Sequence, residues 1–288
     1  MSARWFVKKA SRVGVTLASG LLPKDERVVR VLTYHRFGHI PKDPFCITPE
    51  DFEAHVALLA KERRAVSLED VKRFVRGQAD LPRNACLITM DDGFVSMLDV
   101  AFPILQRHSV PSVAFVTSSM MGTPRSAELP EPFMTPTQLR ALHEGGMTIG
   151  SHAYTHRSMG KLPIHEARDE VKRSKDSLEA MIGAPVTSFA YPFGTHGDFT
   201  PETDDALERA GYELSFHSQH GPLRPGMLRA GMPLISLPRV KIESGEPLWQ
   251  FARISRGGMD AWRVVDRNLW RMQRVRAEIT PDHVTHET

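Results

Sequence analysis

Leu87-Ile88-Thr89-Met90-Asp91-Asp92-Gly93 is an apolar run that ends in two adjacent carboxylates and a glycine. Such a run reads as a buried strand, and the glycine as a turn at its end. Two acids at the mouth of a buried strand repel each other and resist desolvation, and a bound cation offsets that cost. Farther along, Met147-Thr148-Ile149 leads into Gly150-Ser151-His152-Ala153-Tyr154-Thr155-His156. His152 and His156 are four residues apart. On one helical turn or a tight loop, both rings then face one point. Two His and one Asp suit a catalytic divalent metal with open positions, zinc by default. One aspartate of the pair is left over for proton transfer. Each half alone has an ordinary reading, the first as a turn and the second as a solvated helix face. Their joint placement after apolar strands favours a metal site.

The elements that must position these residues alternate. Val28 to Leu32 reads as a strand. Thr48-Pro49 reads as an N-cap and first helical position, with Glu50, Asp51 and Glu53 in the first turn and Phe52, Val56 and Leu59 as the apolar face. A shorter helix spans Leu68 to Val75, ended by Gly77. The Cys86 to Met90 strand follows, then a helix through Leu98, Phe102 and Leu105. Ser112 to Val116 is a strand, and Thr137 to His143 a helix stopped by Gly145-Gly146. A long charged helix runs from Ile164 to Met181 and is stopped by Gly183. Val186 to Tyr191 is a strand, Glu202 to Ala210 a helix, Glu213 to Phe216 a strand, and Leu234 to Ile242 holds the last strand. This alternation predicts an α/β fold with a parallel sheet or barrel. In such folds the C-terminal ends of the strands carry the site, which is where both half-sites fall.

The chain of 288 residues is long enough for a large core, with charged and apolar fractions of a globular protein and a net charge of +3. No dense basic block with interleaved aromatics points to nucleic acid. The two cysteines, Cys46 in a loop-like stretch and Cys86 in a strand, form no Cys-x-x-Cys pair, which argues against a disulfide framework or structural zinc. No segment reaches the roughly 18 apolar residues of a membrane span. Residues 1–27 form a basic and apolar segment: a poor signal peptide, or an amphipathic helix with Trp5, Phe6, Val13 and Leu17 on one side and basic residues on the other. Residues 28–258 form the catalytic domain. In residues 259–288, Trp262, Val265, Leu269 and Met272 make a helical stripe flanked by Arg263, Arg267, Arg271, Arg274 and Arg276, followed by a loose tail from Pro281. Both ends read as helices docked on the domain or resting peripherally on an anionic membrane.

The two half-sites also match a known pattern. Thr89-Met90-Asp91-Asp92-Gly93 resembles the first motif of the polysaccharide deacetylases (the NodB-homology group, or carbohydrate esterase family 4), usually Thr-Phe-Asp-Asp-Gly. His152 to His156 resembles the second motif, His-Ser/Thr-x-x-His, with Ala153 at the usual hydroxyl position. Ala190-Tyr191-Pro192-Phe193-Gly194 is similar to the third, often Arg-x-Pro-Tyr, here without the arginine. The family's late Leu-x-His motif is absent, and the segment reads Ser236-Leu237-Pro238-Arg239-Val240. Leu32-Thr33-Tyr34-His35-Arg36 is similar to the Tyr-His motif of the branch that deacetylates exopolysaccharides such as poly-N-acetylglucosamine.

The resemblance, from about Val28 to Ile242, implies a distorted (β/α) barrel of about seven units. It implies a divalent metal, most often Zn2+, held by Asp92, His152 and His156, with Asp91 as general base. By the same resemblance His35 is the general acid, with His217 and His220 in reserve, and the Phe193 backbone N–H is an oxyanion donor. Arg239 is expected to replace the missing arginine beside Asp91. Tyr154, Tyr191 and Phe94 are candidates to line a sugar pocket. The expected reaction is removal of N-acetyl groups from a polysaccharide or lipid-linked saccharide. Small C–N substrates such as formamides, or O-acetyl esters, are the alternative on the same scaffold. A non-catalytic carbohydrate-binding protein is the rival from another class. The expected location is the cytoplasm or the face of the inner membrane, with periplasm or secretion as the alternative. The number of copies in the assembly is not legible.

Overall fold

Val29-Arg30-Val31-Leu32-Thr33-Tyr34 is buried along its whole length, as a strand covered on both faces must be. The structure is a computed structural model that describes residues 3–19, 25–126, 131–228, 230–266 and 268. A first helix, α1 (Ala3–Ala18), precedes β1 (Val29–Tyr34). Two short parallel strands, β2 (Arg36–Phe37) and β3 (Cys46–Ile47), form a small sheet of their own. Then come α2 (Pro49–Lys61), α3 (Leu68–Val75), β4 (Ala85–Asp92), α4 (Phe102–Arg107), β5 (Ser112–Val116), α5 (Pro136–Glu144) and β6 (Thr148–Ser151). The chain continues through α6 (Ile164–Ile182), β7 (Ser188–Ala190), α7 (Pro201–Arg209), β8 (Leu214–Phe216), β9 (Ser236–Leu237), β10 (Val240–Lys241) and α8 (Leu248–Arg253).

Eight strands make one parallel sheet in the order β10-β1-β4-β5-β6-β7-β8-β9, curled into a distorted (β/α) barrel. The expected last strand is in fact two. Pro238 has no N–H to give a ladder, so the segment breaks there. Its first half pairs with β8 and its second with β1, so one stretch of chain joins the two edges of the sheet. Arg239 sits at this seam.

Helix starts follow the capping chemistry. Thr48 accepts from the Asp51 N–H ahead of Pro49, and Ser67/Asp70 and Thr135/Gln138 form reciprocal capping boxes. The expected helix after β4 begins differently, as a π-type turn, Met97–Ala101, before α4. Pro103 lacks the N–H that would close an α-turn onto Asp99. Cys46 is buried in β3 rather than in a loop, and both cysteines are free.

The N-terminal helix packs opposite to expectation. Its inward side carries Arg12, Thr16 and Ser19, while Leu17 is 47% exposed. Arg12 is buried against Glu246 at 2.6 Å and Glu243 at 3.4 Å, and donates to the Lys241 carbonyl. Two acids close in space but distant in sequence thus draw the basic face inward. At the other end Asp260 pairs with Arg30, the fully buried second residue of β1. Trp262 is buried beneath Arg12. The side chains of Trp5 and Phe6, and Arg267, Leu269, Arg271, Met272, Arg274, Arg276 and the tail from Pro281, lie outside the described residues. Among the described residues no helix is long and apolar enough to cross a membrane.

Candidate active site

Register brings the two half-sites to one end of the sheet. Asp91 and Asp92 on β4 lie beside Phe115 and Val116 on β5, and Val116 lies beside Ser151 at the end of β6. The chain turns out of β4 at Asp92, whose φ is +84°, and Gly93, whose φ is +103°. Gly93's φ is one that side chains rarely adopt, and a Cβ there would also crowd Val116 Cγ1 at 3.1 Å, so glycine suits this turn. His152 and His156 lie on a loop, not a helix, and Ala153 and His156 both take positive φ there. Phe193 does likewise, at +60°. Strained backbone at four non-glycine positions of one site marks it as shaped for function.

Asp92 Oδ1 lies 3.5 Å from His152 Nε2 and 3.4 Å from His156 Nε2. One ligand atom from each of the three residues lies within 4.8 Å of the others. His152 Nδ1 donates to the Ala190 carbonyl at 2.6 Å, which leaves its Nε2 lone pair facing Asp92 and His156. Burial pushes the His152 imidazolium down to about 4, so this ring is neutral, as a metal ligand must be. Burial also acts to raise Asp92, but the His156 bond and the nearby His35 hold its carboxyl far below the usual range. Against the opposing effect of burial, Asp92 raises His156. One carboxylate flanked by two imidazoles on a shared point fits a divalent ion.

Asp91 is held apart from this trio. It is buried, and Arg239 Nη1 and Nη2 each donate to one of its oxygens at 2.7 Å. Such a two-pronged bond fixes the plane of the carboxylate. Burial alone would raise Asp91, but Arg239 and His152 outweigh it and the carboxyl lies below its ordinary value. Arg239 is itself fully buried, over Phe115. The seam of the barrel therefore supplies the cation that the third motif lacks.

His35 follows β1, its ring 4.8 Å from Phe45. Its Nδ1 is buried without a hydrogen-bond partner among the described residues. Burial lowers its pKa, while Asp92 and Asp91 pull it upward. The Phe193 N–H finds no acceptor among the described residues, and the Phe193 ring lies 4.9 Å from His156. His217 is stacked on Phe199, accepts the Gln219 N–H at Nδ1, and is driven to about 3 by burial. His220 is committed to Asp266 at 2.9 Å.

The three aromatics that could line a pocket or belong to the core have these surroundings. Tyr191 is fully buried, and its hydroxyl donates to Asp204 at 2.9 Å, so it is a core residue. Phe94 is buried against Phe133. The Tyr154 ring lies under Arg173 on α6, 4.0 Å from its guanidinium carbon.

Two residues on α6 went unnoticed. Glu170 accepts from the Tyr154 and Thr155 N–H groups at 3.0 and 2.8 Å, and from the Thr155 hydroxyl. Ser174 donates to the Ala153 carbonyl at 3.0 Å. Together they hold the histidine loop. The only signal was two polar residues four apart on a helix face otherwise lined by Val171 and Leu178.

Comparison with known proteins places this arrangement. Residues 78–215 match the family model of polysaccharide deacetylase. That stretch includes Asp91, Asp92, His152, His156 and Phe193; His35 and Arg239 lie outside it. The chain is 23% identical over 216 residues to the putative polysaccharide deacetylase YxkH of Bacillus subtilis, covering 75% of this chain and 71% of that one. It is 24% identical over 224 residues to poly-β-1,6-N-acetyl-D-glucosamine N-deacetylase of Escherichia coli, covering 65% of this chain but only 32% of that enzyme. Among solved structures, IcaB from Ammonifex degensii superposes with a TM-score of 0.66 at 24% identity, covering 82% of this chain and 97% of that one. The Streptococcus pyogenes deacetylase PplD, solved with acetate, gives 0.67 at 21% identity, covering 80% and 98%. These likenesses establish the fold.

Proposed function

We propose that the protein is a metal-dependent hydrolase that removes N-acetyl groups from amino sugars in a polysaccharide or lipid-linked saccharide. Asp91 carries this reading. It is an ionised carboxylate beside the Asp92–His152–His156 cluster but bonded to Arg239 instead, as a general base needs to be. Asp92, His152 and His156 would hold a divalent ion, zinc by the chemistry of the donor set. When bound, such an ion acidifies a water and polarises an acetyl carbonyl.

The chain's own groups do the rest. Asp91 takes the proton of the attacking water, and Arg239 holds its oxygens in place as it does so. The free N–H of Phe193 donates to the oxygen on which negative charge develops. An amide nitrogen leaves poorly unless protonated; His35, just after β1, gives it a proton from its charged form, which Asp92 and Asp91 favour against burial. Acetate and a free amino sugar result. The test is acetate release from N-acetylated and O-acetylated saccharides by metal-loaded protein. The expected result is acetate with an equal yield of free amine from an N-acetylhexosamine oligomer. No acetate from any N-acetylated saccharide would overturn the reading.

A further inference from the structure

We infer that Asp198 is a positioning residue: its buried carboxylate clasps the loop of the metal-ligand histidines to the loop of the oxyanion donor, so that His156 and the Phe193 N–H are held as one unit. This inference rests on the deacetylase reading and deepens it. Asp198 is 3% exposed and lies between β7 and α7. Ser158, just past His156, donates its hydroxyl to Asp198 Oδ1 at 2.5 Å. Thr195, just past Phe193, donates its N–H at 2.8 Å and its hydroxyl at 2.5 Å to Oδ2. Each carboxylate oxygen therefore serves one of the two loops.

The contact across the loops is more than a local turn. Ser158 precedes a 3-10 turn, Met159–Lys161, where a serine hydroxyl ordinarily caps backbone N–H groups. It caps none of them and reaches across to Asp198 instead. The two backbones also touch. The Gly160 N–H donates to the Asp198 carbonyl at 2.9 Å. A Cβ on Gly160 would lie 2.5 Å from the Gly197 oxygen and 2.8 Å from the Phe199 nitrogen. Gly160 has no positive φ, so it is this close approach that calls for glycine.

Both loops need such a hold. His156 and Phe193 keep φ of +62° and +60°, a conformation unfavourable for any residue with a Cβ. Each loop has an anchor of its own. Glu170 and Ser174 hold the histidine loop, and the Ser218 N–H donates to the Gly194 carbonyl at 2.8 Å. Asp198 is the link that sets one loop against the other, where the Phe193 ring lies 4.9 Å from His156. A donor displaced by about 1 Å costs roughly a hundredfold in rate, and losing an oxyanion donor outright costs about a hundred- to a thousandfold. The clasp therefore acts on kcat through the Phe193 N–H and touches no substrate itself.

The test combines amide hydrogen exchange of the metal-free protein with kcat and KM for an N-acetylhexosamine oligomer at saturating zinc. Ser158→Ala removes the bond between the loops and leaves the Thr195 turn intact. Gly160→Ala pushes the backbones apart without removing a polar group. Both should lower kcat about ten- to a hundredfold with KM changed less than about threefold. In both, the amides of residues 160 and 195 should exchange at least about tenfold faster. Ser158→Thr keeps the hydroxyl. Asp198→Asn keeps an acceptor for Thr195 and gives the Ser158 hydroxyl a donor in exchange, so both should stay near wild type. A wild-type kcat in Ser158→Ala and Gly160→Ala, or a loss in Ser158→Thr as deep as in Ser158→Ala, overturns the clasp. Faster exchange in the alanine variants, with no acetate from the wild type, would keep the clasp and remove the reaction. Acetate release with exchange and kcat unaltered in those variants would do the reverse.

Discussion

Replacing Arg239 by Met leaves Asp91 buried without its partner. In the folded protein both Asp91 oxygens are bonded to one fully buried guanidinium at 2.7 Å. Removing one member of a buried pair costs about 3–5 kcal/mol, because the remaining charge stays desolvated. The protein can escape by protonating Asp91, but at pH 7 that costs about 4 kcal/mol for a carboxyl of ordinary pKa, so the two routes agree in size. At roughly 2 °C per kcal/mol for a chain of this length, the melting temperature should fall by about 6–10 °C. Asp91→Asn combined with Arg239→Met removes both charges and should recover most of the loss, since a buried pair contributes little over apolar groups of similar size. The assay is thermal and denaturant unfolding of wild type, both single variants and the double. The pH dependence has a definite sign. Asp91's folded pKa is lowered from 3.8, so the pair's contribution is present above about pH 4 and is lost as pH falls through the folded value. The gap between wild type and the double variant should be constant from pH 8 to about 5 and shrink below 4. An Arg239→Met melting point within about 2 °C of wild type, or single losses that simply add in the double, would refute the argument.

Three further outcomes follow from the same geometry. His35→Ala should slow amide cleavage by at least about a hundredfold and slow an activated aryl acetate much less, because an aryl oxide leaves unprotonated; equal losses would remove His35 as the acid. Glu170→Gln weakens the grip on the Tyr154 and Thr155 N–H groups, so metal affinity should drop about 10–100-fold by competition with a chelator. An unchanged affinity would show that the loop holds itself. His55 is buried against Phe251 with its pKa lowered to about 3 by burial, so the unfolded state takes up its proton first and stability is lost as pH falls below 6.5. His55→Phe should flatten the stability slope between about pH 6.5 and 4, and a slope identical to wild type would contradict the assignment.

Where the sequence was legible, chemistry changed abruptly along the chain. The run from Leu87 to Gly93 passes from apolar to acidic within one residue, and the short apolar stretch at Met147 to Ile149 leads within three residues to His152, so both half-sites stood out. Proline and capping residues fixed most helix starts. The signals that failed depend on contacts between distant residues. A basic helix face reads as outward-facing, yet Arg12 meets Glu243 and Glu246 and turns inward. Arg239 was expected beside Asp91 and meets it there, but the closure that brings them together, with Pro238 breaking the last strand across two edges, was not legible. Glu170 is hidden among the many charges of α6.

The most direct test measures metal content and acetate release together on the same samples. Wild-type protein is stripped with a chelator and reloaded stepwise with zinc, beside Asp92→Asn and Asp91→Asn. The account predicts that acetate release from an N-acetylhexosamine oligomer rises in proportion to zinc bound, saturating at about one ion per chain. Asp92→Asn should bind little zinc and release no acetate, while Asp91→Asn should bind zinc and release none. Acetate release by the stripped protein, or full turnover by zinc-loaded Asp91→Asn, would contradict it.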